Sequence, residues 1–356
     1  MLRRTALIAA VSLAVVGAPA ARASSAPKPA TKLPIIAMLD SGVRPTSHEF
    51  DYRGKAATSD QFVGWWDFTT DTKKTAVLPK AGQTWDTSVA NPYDNLGHGT
   101  ITASMAAGLN ASSKKTPSAY PGAKLVIAKV LSGANSAGNI AAAIHWASFT
   151  MHADVINLSI GSYVPLPAEL QREAYDAIHA ARLNGTLVFV ANGNGFANDG
   201  VPGDPGWANN FGSSPDVVAV GARQASGITA NTDPEVSAAY TVTGPSNKDD
   251  SSYVTEGGTS FASPFVAGFA ARVLLASRQG RHPLGADALE LFVKRSSVDT
   301  IWPPQTEGYG ELTLSQLPTA VANARAGKTP SRPSPDYSAQ YVEGPAAALR
   351  ATWTAL

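Results

Sequence analysis

Ser260 lies in the octapeptide Gly257-Gly258-Thr259-Ser260-Phe261-Ala262-Ser263-Pro264, a setting that suits a nucleophile. Two glycines let the backbone turn tightly. Phe261, Phe265, Val266, Phe269, Val273 and Leu274 then follow at the spacing of a packed helix. Pro264 is expected in the first turn, where N–H groups have no partner to lose. A hydroxyl at a helix N-terminus meets free N–H groups and the positive end of the dipole, which favour the charge formed when serine attacks a carbonyl. Such a serine needs a base. His98, between two glycines at the head of the Ala-rich stretch 101–109, supplies one. Asp40, at the end of the apolar run LPIIAML, supplies a carboxylate to orient the imidazole. Singly these residues read as a helix cap, a surface histidine and an Asx turn before Gly42. Together, in the order Asp, His, Ser, they form the parts of an acyl-transfer relay. His48, His145, His152, His179 and His282 lack comparable settings.

Elements that can position these groups surround them. Short apolar runs at 33–39, 125–131, 155–161, 187–190 and 217–220 read as buried strands, and 63–68 as a further short one. Helices are expected over 139–153, 169–184 and 280–295, with a last short element after Gly308-Tyr309-Gly310. Strands alternating with helices imply parallel βαβ units and a doubly wound α/β sheet. Chemistry collects at the carboxyl ends of such strands, where Asp40 stands.

Composition bounds the function. The chain has 356 residues, is 44% apolar and 15% charged, carries a net charge of +1 and contains no cysteine. It has no basic stripe to attract nucleic acid, and disulfides and thiolate metal sites are excluded. Residues 1–23 read as a signal peptide: Arg3 and Arg4, an apolar Ala6–Val16, then Ala21-Arg22-Ala23 as the cleavage site. Residues 24–32 form a linker, 33–326 the main domain and 327–356 a Pro/Ser-rich tail. The mature protein is expected to be secreted into the extracellular space as a monomer with no membrane span.

Asp40-Ser41-Gly42, His98-Gly99-Thr100 and Gly258-Thr259-Ser260-Phe261-Ala262-Ser263-Pro264 resemble the signature blocks of the subtilisin-like serine peptidases, the subtilases. The resemblance runs from about Leu33 to about Ala326. It implies a three-layer α/β/α fold and an endopeptidase acting on protein or peptide substrates through Asp40, His98 and Ser260. Asn194 is implied as an oxyanion donor beside the Ser260 N–H. Ser159, Ile160 and Gly161 are implied as one wall of the specificity pocket and the edge to which extended substrate adds a strand. Ala191, Asn192 and Gly193 are implied as the opposite wall. Such small, apolar walls favour an uncharged, hydrophobic side chain before the scissile bond. Catalysis needs no cofactor. The family commonly binds structural calcium, for which Asp86, Asp199 and Asp204 are possible ligands.

Some features depart from the family. About ten residues lie between Ala23 and the first strand, too few for the usual folded pro-domain, so folding without one or with help from another chain is expected. The stretch 71–91 is extra sequence expected to form a surface loop near the cleft, and Ser104 stands where the family often has glycine. Three rivals are set against this reading: a processing or peptide-ligating subtilase with one dedicated partner, a catalytically silent binding protein, and an α/β-hydrolase esterase. The last requires Gly-x-Ser-x-Gly and the order Ser, Asp, His, which the chain lacks.

Overall fold

The computed structural model describes residues 31–51, 61–69, 93–133, 136–137, 139–161, 167–194, 210–224, 227–229, 234–300 and 307–332. The expected signal peptide, the 71–91 loop, Asp86, Asp199, Asp204 and the tail beyond 332 lie outside these residues, as does all but the end of the linker.

Chain order runs β1 (Ile35–Asp40), β2 (Phe62–Asp67), α1 (His98–Ala107), β3 (Lys124–Lys129), β4 (Leu131–Gly133), β5 (Ser136–Ala137) and α2 (Ile140–His145). It continues with β6 (Val155–Leu158), α3 (Ala168–Leu183), β7 (Leu187–Ala191), β8 (Val217–Gln224), β9 (Gly227–Thr229) and β10 (Val236–Ala239). Then come β11 (Thr241–Pro245), β12 (Tyr253–Gly257), α4 (Thr259–Gly280), α5 (Ala286–Ser296) and α6 (Leu317–Arg325). The main sheet has the order β10-β8-β7-β6-β1-β3-β2, all parallel, with β9 pairing antiparallel to β8. Two small antiparallel hairpins, β4–β5 and β11–β12, stand apart from it.

Both faces of the sheet are covered, which is why its strands read as continuous apolar runs. Ile36 and Met38 of β1 join one core with α1, α4, α5 and α6, while Ala37 and Leu39 join the other with α2 and α3. The expected α/β/α sandwich is therefore present. Strand β1 lies between β3 and β6, so the chain winds outward from it in both directions. Asp40 thus ends at the topological switch point, where a crevice opens beyond the carboxyl ends. Leu158 and Val190 make the last pair of β6 with β7, leaving 159–161 and 192–194 outside that ladder.

Three helix expectations need correction. The 139–153 helix is regular only to His145, with Asn139 accepting from Ala142 N (2.8 Å), and continues as a π-helical turn over Trp146–Thr150. The expected helix from Gly280 begins at Ala286, because α4 itself runs through Gly280 and ends with Arg281 in the left-handed region (φ 67°). Pro264 sits in the second turn of α4, where its missing N–H leaves the Ser260 carbonyl without its helical donor. Helix α4 is long and apolar enough to cross a membrane, but 89% of its most apolar window is buried in the core.

Candidate active site

Strand β1 delivers Asp40 to the site 1% exposed. One carboxylate oxygen accepts from Ser41 N (2.7 Å) and faces His98 Nδ1 (2.8 Å). The other accepts from Thr102 Oγ1 (3.0 Å), one helical turn beyond His98 on α1. The carboxylate is thereby fixed through both oxygens. It also keeps the proton of neutral His98 on Nδ1, which makes Nε2 the proton-accepting nitrogen. Burial disfavours the charged imidazole, yet the Asp40 charge and hydrogen bond, with Asp94 and Glu256, outweigh it and raise the His98 pKa above 6.5.

The turn carrying His98 is held by Asp94, fully buried. Its carboxylate accepts from the backbone N–H of Leu96 (3.0 Å), Gly97 (2.8 Å) and Thr100 (2.8 Å) and from the hydroxyls of Thr100 (2.6 Å) and Ser41 (2.8 Å). Ser41 Oγ in turn accepts from Gly99 N (2.9 Å). The Asp-Ser-Gly and His-Gly-Thr blocks are so close that a Cβ on Gly99 would lie 2.1 Å from Gly42 O. Ser104, expected to ask for extra room, is fully buried and donates to Ile101 O (2.8 Å). Its room comes from Gly244 on β11, where a Cβ would meet Ile101 Cγ2 at 2.7 Å and Ser104 Oγ at 3.3 Å.

Ser260 is the second residue of α4, half-buried. Ser159 Oγ donates to its carbonyl (2.7 Å), taking the place of the N–H that Pro264 lacks. Ser260 Oγ donates to Ser159 O (3.4 Å). Among the described residues no hydrogen bond joins it to His98, whose ring packs on that of the adjacent Phe261 with centroids 5.3 Å apart. Asn157, buried in β6, donates to Ser159 Oγ (2.9 Å) and accepts from Ser263 Oγ (2.7 Å), clamping the end of β6 onto α4.

On the other side, Asn194 Oδ1 accepts from Thr259 N (2.9 Å) and Thr259 Oγ1 (3.1 Å), which turns its NH₂ toward Gly258 and the helix start. Gly193 N donates to the same Thr259 hydroxyl (3.1 Å). The positive φ of this turn falls on Gly193 (91°), so neither Asn192 nor Asn194 is there to tolerate a left-handed backbone. Ser159, Ile160, Ala191 and Asn192 are buried, Gly193 is half-buried and Gly161 is exposed. Sequence reasoning assigned no role to Asp94, Thr102, Asn157 or Thr259. Asn157 carried a signal, a polar side chain within an apolar strand, which demands a partner. Among the described residues no three His, Asp or Glu side chains converge to hold a metal ion.

Residues 31–310 match the model of the subtilase family. The chain belongs to that family. M-protease of Shouchella clausii (strain KSM-K16) is 35% identical over 188 residues, 51% of this chain and 45% of that protein. Subtilisin Savinase of Lederbergia lenta is likewise 35% identical over 188 residues, which cover 64% of it. The matched part of this subtilase thus spans about half to two thirds of these relatives' length. The solved protease domain of PatA superposes with a TM-score of 0.60 at 19% identity, covering 83% of this chain and 96% of that one, a likeness in fold.

Proposed function

We propose that this subtilase is a secreted serine endopeptidase in which Asp40, His98 and Ser260 form the catalytic relay. The observation that carries the reading is the hydrogen bond from half-buried His98 to buried Asp40 at the sheet's switch point, with Ser260 at the neighbouring helix N-terminus. Substrate lies along 159–161, and its scissile carbonyl meets Ser260. The hydroxyl rotates away from Ser159 O, gives its proton to His98 Nε2 and attacks. Asp40 stabilises the imidazolium. The oxyanion is received by the Ser260 N–H and Asn194 Nδ2; losing the latter costs about 10²–10³-fold in kcat, the magnitude measured for this donor in subtilisin. His98 then protonates the departing amine, and water releases the acyl group by the reverse sequence.

The relay itself supplies nucleophile, base and oxyanion donors, so the proposed reaction calls on no cofactor. A structural calcium would draw on Asp86, Asp199 or Asp204, beyond the described residues. Arg3-Arg4, the apolar 6–16 stretch and Ala21-Arg22-Ala23 support removal of residues 1–23 at export and an extracellular, monomeric product acting on protein or peptide.

The test is fluorophosphonate labelling of the mature protein beside Ser260→Ala. Labelling confined to the wild type establishes an activated nucleophile at Ser260. A folded wild type that takes no label overturns the reading in favour of a silent binding protein. Digestion of casein then separates a general endopeptidase from one dedicated to a single partner.

A further inference from the structure

A cavity of about 630 Å³ opens between the start of α1 and the β11–β12 hairpin. His98 lines it, and the two proposed specificity walls, 159–161 and 191–193, contribute nothing to it. In the proposed reaction His98 must hand its proton to the departing amine, so the half of the substrate beyond the scissile bond has to lie on the His98 side of Ser260. The cavity occupies that side. Its floor is apolar, with Leu96, Ile101, Val254 and Phe261. Glu256 of β12 stands on its wall, exposed, and forms no ion pair among the described residues. Lys248, on the turn leading into β12, also lines the cavity. Arg44, outside the lining, is paired with Asp250. Lys248 forms no ion pair among the described residues either, but the Glu256 charge is one of those that act on His98, which places the carboxylate toward the His98 end of the cavity.

We propose that this cavity receives the side chain just after the scissile bond and that Glu256 makes it select a cationic one. An arginine or lysine has the matching shape: an aliphatic stem for the apolar floor and a charged head for the carboxylate. The inference rests on the peptidase reading and adds a residue class to its substrate.

Acyl transfer tests it without altering the acylating half of the substrate. A peptide ester acylates Ser260, and added amines compete with water. The neutral α-amine attacks the ester carbonyl, a C–N bond forms, the C–Oγ bond breaks, and the amine's proton returns to Ser260 through His98. Argininamide is compared with the similarly sized norleucinamide and with glutamic acid diamide as an uncharged polar control. Argininamide is expected to capture the acyl group about 2–5-fold better than norleucinamide at low salt, the advantage of an exposed ion pair, and to lose that edge in about 1 M salt. Glu256→Gln should bring the ratio to about one, Glu256→Lys should drop it below one, and Lys248→Ala should leave argininamide preferred. Equal capture by the wild type, or a ratio indifferent to salt and to both Glu256 variants, overturns the proposal while leaving the peptidase intact. A folded protein that turns over no ester defeats the peptidase reading and this inference with it.

Discussion

Asp40 has no freedom in this structure: both oxygens are engaged, one by Ser41 N and His98, the other by Thr102. In the proposed mechanism His98 must be neutral to accept a proton, and its pKa is raised above 6.5. Activity is therefore expected to fall as pH drops through that raised value. Asp40→Asn removes the main raising influence and leaves burial, which lowers the pKa. The acid limb of the kcat/KM profile should move to lower pH while kcat falls about 10⁴-fold through the wrong tautomer. An unmoved limb would assign the titration to another group. The same linkage makes the charged pair a stabilising contact below the unfolded histidine pKa, a contribution lost as pH rises through the folded one. The places of Asp40 at a strand end and of His98 and Ser260 at helix starts were legible because each stands in a short block with a local signal, an apolar run before Asp40 and glycines before the two helices. Asp94 was not: its bonds to Leu96, Gly97 and Thr100 are local, but the one that ties this turn to the Asp40 block comes from Ser41, 53 positions away along the chain.

At the level of elements, β6 and α4 are joined by a polar seam inside an otherwise apolar contact. Asn157 serves Ser159 and Ser263 at once. Asn157→Ala takes the acceptor from the Ser263 hydroxyl and the donor from Ser159 Oγ, which keeps its own bond to the Ser260 carbonyl; it is expected to cost about 1–3 kcal/mol, seen as a lower Tm, together with a higher KM as the 159–161 wall loosens. An unchanged KM would confine the seam to stability. Most strands of the main sheet were readable from their apolar runs. The β11–β12 hairpin was not, because Thr241–Gly257 is half polar, pairs only with itself and carries its turn in a charged stretch, Asn247-Lys248-Asp249-Asp250. That hairpin shapes the leaving-group cavity, so this part of the site was hidden too. The limits of α4 escaped for a different reason: its C-terminal turn is closed by Arg281 rather than the usual glycine.

Across the whole molecule, a buried Glu49–Lys115 pair (3.9 Å) ties the loop after β1 to the loop after α1. Glu49 also accepts from Tyr253 OH (2.8 Å) on β12, so three distant segments meet there. Burial lowers Lys115 to about 8, partly opposed by Glu49, while burial and Glu49 push Tyr253 up to about 12. Between pH 8 and the unfolded lysine value of 10.5 the unfolded chain binds more protons at this group, so its contribution to stability rises with pH. Tyr253 acts in reverse: above the ordinary phenol value of 10 the unfolded side chain ionises first, and stability falls. Unfolding midpoints in urea should rise from pH 8 toward 10 and then decline. The rise should vanish in Lys115→Met and the decline should soften in Tyr253→Phe; a wild-type rise retained in Lys115→Met would assign it elsewhere.

Pro264 places durability and turnover in opposition. Alanine in a helix interior is favoured over proline by about 3 kcal/mol, so Pro264→Ala should raise Tm. The restored amide would, however, compete with Ser159 for the Ser260 carbonyl and release the wall from the nucleophile's own turn. A variant that survives hotter water but processes less substrate is the expected result, read from Tm and kcat/KM measured on the same preparation. Selection for heat resistance alone would then erode this proline, and selection for catalysis would keep it.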